Sequence, residues 1–188
     1  MNYAKINKCD IANGEGVRVT LFVSGCRNRC PGCFQPETWD FNYGYEFTDQ
    51  VCDELFSALE NPSVRGLTIL GGEPMEPENQ KALLPFLLEF KSRFPRKTLW
   101  LYTGNTYEEL TGDHPNHTEF TEEILSLLDI LVDGRFVEKE KRIGLRFRGS
   151  ANQRVIDMNK TRLCNEIKIW EGCKLDKSYG EIINEGKN

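Results

Sequence analysis

The sequence predicts an α/β fold, an incomplete barrel of parallel βα units. Three observations predict it. Segments 17–23, 67–70, 98–102 and 130–132 are near-continuously apolar or β-branched, the pattern of strands covered on both faces. Stretches of helical periodicity lie between them, and strands alternating with helices argue for parallel βα units. With 188 residues the chain is too short for a full eight-unit barrel, which takes about 250.

The elements follow in order. After the first strand, Thr48 is placed to cap a helix in which Val51, Cys52, Leu55, Phe56 and Leu59 share one face. After the second, Ala82, Leu83, Phe86, Leu87, Phe90 and Phe94 form another stripe; Pro85 interrupts it and predicts a kink or a late start. After the third, Thr121 is placed to cap a helix that turns Ile124, Leu125 and Leu128 inward. Beyond Arg135 the periodicity fades: 139–148 is basic and polar, 154–156 reads as a short strand, and 174–188 as a loose polar tail. No repeat, low-complexity segment or linker divides the chain.

The strand ends share a feature. They run into Ser24-Gly25-Cys26, Gly71-Gly72-Glu73, Thr103-Gly104-Asn105 and Asp133-Gly134-Arg135. Glycine makes tight turns, and it also lets a ligand approach the backbone. In parallel α/β architectures the C-terminal strand edge is where sites are built, and four such ends point there.

Composition narrows the classes. A net charge of −5 gives no general attraction to nucleic acid or anionic membrane. No apolar run is long enough to span a bilayer, and the first ten residues lack a secretory pattern, so a cytoplasmic location is expected. Seven cysteines, three within eight residues, suit a metal site in a reducing compartment better than a disulfide framework.

Those three form Cys26-Arg27-Asn28-Arg29-Cys30-Pro31-Gly32-Cys33, a C-x-x-x-C-x-x-C loop. Thiolates are the expected ligands of iron–sulfur clusters, and Pro31 and Gly32 suit the sharp path between the last two. Closed clusters use four cysteines, so three leave one iron open. Structural zinc wants four ligands, commonly two pairs, and a second C-x-x-C is missing. His114 and His117 read as solvated, Cys52 as a small buried hydrophobe, Cys9 as structural, and Cys164 and Cys173 as free thiols.

Further motifs carry a resemblance. Asn13-Gly14-Glu15-Gly16 leads into the first strand, and Cys30-Pro31-Gly32-Cys33-Phe34 is followed by Glu37-Thr38-Trp39. The Gly71-Gly72-Glu73-Pro74 turn, the 99–104 and 131–136 segments and Arg148-Gly149-Ser150-Ala151-Asn152-Gln153-Arg154 come after in order. Together they resemble the activases of anaerobic (class III) ribonucleoside-triphosphate reductase, within the radical S-adenosylmethionine family. The resemblance covers 1–157 as a radical-type partial-barrel domain and leaves 158–188 as a loosely ordered C-terminal extension.

The resemblance implies a [4Fe–4S] cluster on Cys26, Cys30 and Cys33, whose open iron is chelated by S-adenosylmethionine. Reductive cleavage of that cofactor then yields methionine and a 5′-deoxyadenosyl radical, which removes a hydrogen atom from a glycine of the reductase. It also implies partners: the large subunit of the anaerobic reductase as protein substrate, and an electron donor such as flavodoxin. Gly71, Gly72 and Glu73 match the motif that holds the methionine amino group. Gly32 and Phe34 flank the third ligand near the adenine, with core packing the other role for Phe34. Asp133 and Arg135 stand where related activases carry Asp and Lys, Arg135 facing the cofactor carboxylate or solvent. Thr103 and Asn105 stand within reach of the ribose. The nearest alternatives are an activase of the pyruvate formate-lyase type and a non-catalytic iron–sulfur or zinc module.

Overall fold

The structure is a computed structural model that describes residues 1–173. Seven strands form one mixed sheet: β1 (Asn2–Asp10), β2 (Val17–Val23), β3 (Tyr45–Glu46), β4 (Val64–Gly71), β5 (Thr98–Tyr102), β6 (Ile130–Asp133) and β7 (Arg154–Asp157), in the order β3-β1-β2-β4-β5-β6-β7. The four strands expected from the apolar runs are the parallel centre, β2-β4-β5-β6. The margins depart from an all-parallel set, because β1, β3 and β7 pair antiparallel. Residues 2–10 carry no continuous apolar run because β1 is only half covered, with two residues of β3 beyond it. The short strand expected at 154–156 is β7.

Each parallel step moves the same way across the sheet, so the connecting helices fall on one face. They are α1 (Asp49–Leu59), α2 (Pro77–Arg93), α3 (Tyr107–Thr111) and α4 (Thr121–Leu127); α5 (Met158–Cys164) follows β7. The main core lies between that face and the helices: Val19, Leu21 and Val23 of β2, Leu67 and Ile69 of β4, and Leu99 and Leu101 of β5 pack against Leu55, Leu59, Leu83, Leu87, Phe90 and Ile124.

Two helix starts differ from expectation. Pro77 opens α2 eight residues before Pro85, which sits inside the helix on its exposed side. There the carbonyl that Pro85 leaves unbonded reaches water, while Leu83, Leu84, Phe86 and Leu87 hold the helix to the core. Thr121 is the first residue of α4 and not its cap; its hydroxyl instead donates to Gln80 Oε1 at 2.7 Å. Thr48 does occupy the cap position of α1, acting through its carbonyl, which accepts from Val51 N and Cys52 N. The full capping box is at Thr106 and Glu109 of α3, a helix the periodicity did not reveal.

The opposite face of the sheet is also covered, by different chemistry. Trp100, Ile130, Val132 and Val155 pack with Phe147 and Trp170, whose rings stand edge-on to Trp100 at 5.3 and 5.2 Å. Beside them Arg18 is fully buried. Its five N–H groups meet five acceptors: Thr68 Oγ1 at 2.5 Å, Leu67 O at 2.6 Å, Thr98 O and Thr98 Oγ1 at 3.0 Å, and Glu15 O at 3.3 Å. Among the described residues no carboxylate pairs with it, and burial lowers its pKa to about 10.

Arg18→Ala removes those bonds and leaves the Leu67 and Thr98 carbonyls without them. Urea unfolding of the cluster-free protein should show a loss of about 3 kcal/mol with an unchanged denaturant slope. A loss under about 0.5 kcal/mol would mean that the network contributes nothing net.

Candidate functional site

A cavity of about 550 Å³ opens at the C-terminal edge of the parallel strands, a volume in the range of small-molecule sites. All three loop cysteines line it, together with Gly71, Gly72, Glu73, Thr103, Gly104 and Gly134 from the other strand ends. Its floor is the inner face of the sheet: Phe22, Leu70 and Tyr102. Phe136, Leu145, Phe147, Arg148 and Gly149 also line it.

The cysteine loop is held from outside the cavity. Glu76, itself buried, accepts the Arg27 backbone N–H at 2.7 Å and an Arg27 guanidinium N–H at 2.5 Å. Glu78 takes the same guanidinium through both oxygens, at 3.0 and 2.6 Å. The guanidinium also lies 4.4 Å from the Phe41 ring centre. The start of α2 therefore clamps the loop between its first and second cysteines. Asn79, one turn on, donates to both Ser24 O and Glu73 O at 2.9 Å and ties the two strand ends together.

Gly71 and Gly72 are needed for close approach, and what approaches is the protein's own backbone. A Cβ on Gly71, at φ +113°, would lie 2.6 Å from Val23 O, and one on Gly72 would lie 2.6 Å from Gly25 O. The Gly72 and Glu73 N–H groups donate to those same two carbonyls at 2.7 and 2.8 Å. The glycine motif is thus zipped to the strand end that launches the cysteine loop.

Glu73 is fully buried and accepts four hydrogen bonds. Met75 N at 2.9 Å and Thr103 Oγ1 at 2.7 Å donate to Oε1; Gly104 N at 2.7 Å and Asn28 Nδ2 at 3.0 Å donate to Oε2. Burial raises its pKa to about 7 against the lowering effect of these donors.

The remaining expected residues divide. Phe34 is exposed at the cavity wall, its ring 5.0 Å from Phe136 and facing Lys141. Thr103 lines the cavity through its bond to Glu73. Gly32 takes φ +72° beside the Glu138 carboxylate and is not among the lining residues. Asn105 is buried behind the wall, bonded to Thr103 Oγ1 and Asn116. Asp133 is buried too, and accepts from Arg154 and from Tyr107 N at 2.8 Å. Arg135 stands at the rim, donating to Asn28 Oδ1 at 3.1 Å, with Glu109 at 3.9 Å. His114 Nδ1 accepts from Asn116 N in its own loop, and His117 Nδ1 bonds Leu110 O of α3. Cys9 and Cys164 are exposed and Cys52 half-buried; the side chain of Cys173 lies outside the described residues.

Asn28, Arg27, Glu76 and Asn79 were not legible as site residues, and Arg148 was marked only as the first residue of the Arg148–Arg154 motif. Glu76 and Asn79 read as ordinary residues of a helix start, and Asn28 as a spacer between ligands; no periodicity or spacing marks them.

The donor set fits an iron–sulfur cluster. Three thiols share one cavity, and among the described residues no fourth cysteine lines it. Burial pushes the Cys26 thiol up to about 12 and raises Cys30, so thiolates there need a positive centre to stabilise them, which cluster iron supplies. Among the described residues, no three His, Cys, Asp or Glu side chains gather tightly enough to hold a single metal ion.

Two outcomes follow from this geometry. Cys30→Ala should reduce bound iron and sulfide to near zero after anaerobic reconstitution while thermal unfolding shifts little; normal cluster content would remove Cys30 from the ligand set. Glu73 has a folded-state pKa of about 7 against an ordinary 4.5, so the protonated form favours folding. That contribution is complete below pH 4.5 and is lost as pH rises to about 7. The stability advantage of wild type over Glu73→Gln, measured by urea unfolding of the cluster-free protein, should shrink across that window and stay flat above it.

Comparison with known proteins gives the family. Residues 12–156 match the model of a 4Fe–4S single cluster domain. The chain is 39% identical over 155 residues to the anaerobic ribonucleoside-triphosphate reductase-activating protein of Vibrio cholerae, covering 81% of this chain and 96% of that protein. It is 40% identical to that of Pasteurella multocida, over 81% of this chain and 95% of that one. The Escherichia coli protein of the same name is 36% identical, over 81% of this chain and 96% of its own length. The chain belongs to the family of anaerobic ribonucleoside-triphosphate reductase-activating proteins, built on a 4Fe–4S single cluster domain.

Proposed function

We propose that this chain is a glycyl-radical activating enzyme. It cleaves S-adenosylmethionine reductively at a [4Fe–4S] cluster held by Cys26, Cys30 and Cys33, and installs a glycyl radical on the large subunit of anaerobic ribonucleoside-triphosphate reductase. The observation that carries this reading is one cavity shared by three cysteines and the Gly71-Gly72-Glu73 strand end, in a member of this family. When bound and reduced, cluster and cofactor supply methionine and a 5′-deoxyadenosyl radical.

The chain's own residues supply placement and exclusion. Arg27 and Glu76 fix the loop that presents the ligands, and Asn28, bonded to Glu73, sets that loop against the β5 turn. Tyr102, Phe22 and Leu70 give the cavity an apolar floor, which keeps water from a reactive carbon radical. Thr103 and the backbone of Gly71–Glu73 lie at the wall where polar groups of a cofactor are received. We read the sheet, with its sequential parallel centre and single helix face, as the wall of a partial barrel spanning 1–157, and 158–188 as an extension to it. Two further roles belong to the same reading: a flavodoxin-like donor supplies the electron, and the reaction is cytoplasmic. The reductase glycine would enter at the cavity mouth.

The decisive experiment mixes anaerobically reconstituted, reduced protein with S-adenosylmethionine and the reductase large subunit. Electron paramagnetic resonance should show a glycyl radical, with methionine and 5′-deoxyadenosine released. A brown protein that releases neither product overturns the activity. A radical formed on a pyruvate formate-lyase and not on the reductase moves the protein substrate.

A further inference from the structure

Two charged side chains line the cavity among the described residues, Glu73 and Arg148. Glu73 is occupied by its four donors. Arg148 is the cation, and it is incompletely used. Its Nη1 donates to Gln153 O at 2.7 Å, while its enclosed Nε meets no acceptor. Among the described residues no carboxylate pairs with it, whereas Arg27 has Glu76 and Glu78, Arg154 has Asp133 and Glu108, and Arg135 has Glu109. A cavity-lining guanidinium with no acid of its own is suited to take a carboxylate.

The segment that carries Arg148 is fixed in place. Gln153 Oε1 accepts from Gly149 N at 2.7 Å and Ser150 N at 3.1 Å, and Gln153 Nε2 donates to Gly134 O at 2.9 Å at the end of β6. A Cβ on Gly149 would lie 3.1 Å from the Phe136 ring and 3.3 Å from that of Phe34, the residue after the third cysteine. Arg148 therefore sits on the wall next to the cysteine loop. Arg135, the alternative cation, is turned to Asn28 and Glu109 and does not line the cavity.

We infer that Arg148, and not Arg135, is the positioning residue that receives the amino-acid carboxylate of the cofactor. The identity of that carboxylate rests on the function proposed above; the residue assignment rests on the geometry. A carboxylate on the partner's glycine-bearing loop is the other source of the same chemistry, and the test separates the two.

The test measures dissociation constants, anaerobically and without the partner, for the cluster-loaded full chain. The ligands are S-adenosylmethionine and its carboxamide, and the proteins are wild type, Arg148→Lys and Arg148→Met, each matched for iron content. S-adenosylmethionine should bind about tenfold more weakly to Arg148→Met, with Arg148→Lys between. The penalty for replacing carboxylate by carboxamide should be smaller in Arg148→Met than in wild type by about the same factor. An equal penalty in both proteins overturns the inference, and so does an Arg148→Met variant that binds the cofactor as tightly as wild type; a carboxylate on the partner's loop is then the source left. The carboxamide penalty in wild type needs no substitution, so an ill-folded variant leaves Arg148→Lys to decide the coupling. Wild type that binds no S-adenosylmethionine overturns the activase reading itself, a result distinct from a missing coupling in protein that does bind it.

Discussion

Glu73 gathers donors from three separate loops onto one buried carboxylate: its own turn at Met75, the β5 end at Thr103 and Gly104, and the cysteine loop at Asn28. A carboxylate taken out of water is costly unless its lone pairs are met, so the four donors are held wherever Glu73 is held. The register of the cavity wall follows from that. Thr103 faces inward because its hydroxyl is committed, and Asn28 stands over the Gly104 turn so closely that a Cβ there would meet it at 2.4 Å. Removing the acid loosens the cysteine loop from the sheet without touching a cysteine.

The two faces of the sheet divide the labour. The helix face is the main apolar core, and along β2 it takes Val19, Leu21 and Val23. The alternate residues of the same strand, Arg18, Thr20 and Phe22, point the other way, toward a face closed by Trp100, Phe147 and Trp170 and opening at its upper end into the cavity. Arg18 is the only member of β2 with a formal charge. It is tolerated at full burial because the strand carbonyls and threonine hydroxyls around it match its fork of donors. Polar chemistry on that face tethers the 13–16 turn, through Glu15 O and Thr68 Oγ1 to Asn13 O, next to the cavity lining at Ala12 and Asn13.

The sequence was most informative where period and spacing act locally. Apolar runs at 17–23, 67–70, 98–102 and 130–132 are strands because a strand buried on both faces has few polar positions to interrupt it. The cysteine spacing brings three thiols into one cavity because eight residues cannot wander far. It was least informative at the margins. The strand β1 is half-exposed and so lacks an apolar signature, and the closing of the inner face by Phe147 and Trp170 depends on contacts far apart in the chain. The arginines illustrate the same limit. The resemblance set Arg135 toward a carboxylate or solvent; in the fold it stands at the rim with Asn28 and Glu109, while Arg154, 46 residues from Glu108 in sequence, pairs with that acid and with Asp133.

By itself, then, the sequence determined the parallel α/β centre, the three-cysteine loop and the glycine-ended strands that converge on one edge, since each is written in nearest-neighbour pattern and short spacing. Only the tertiary structure decided what those strand ends do for one another. Gly71 and Gly72 make room for backbone at Val23 and Gly25, Glu73 ties loops together, Asp133 anchors Arg154, and Arg148 is left facing the cavity. Burial and pairing of charge depend on residues dozens of positions apart being brought within three ångströms, and no local pattern encodes that.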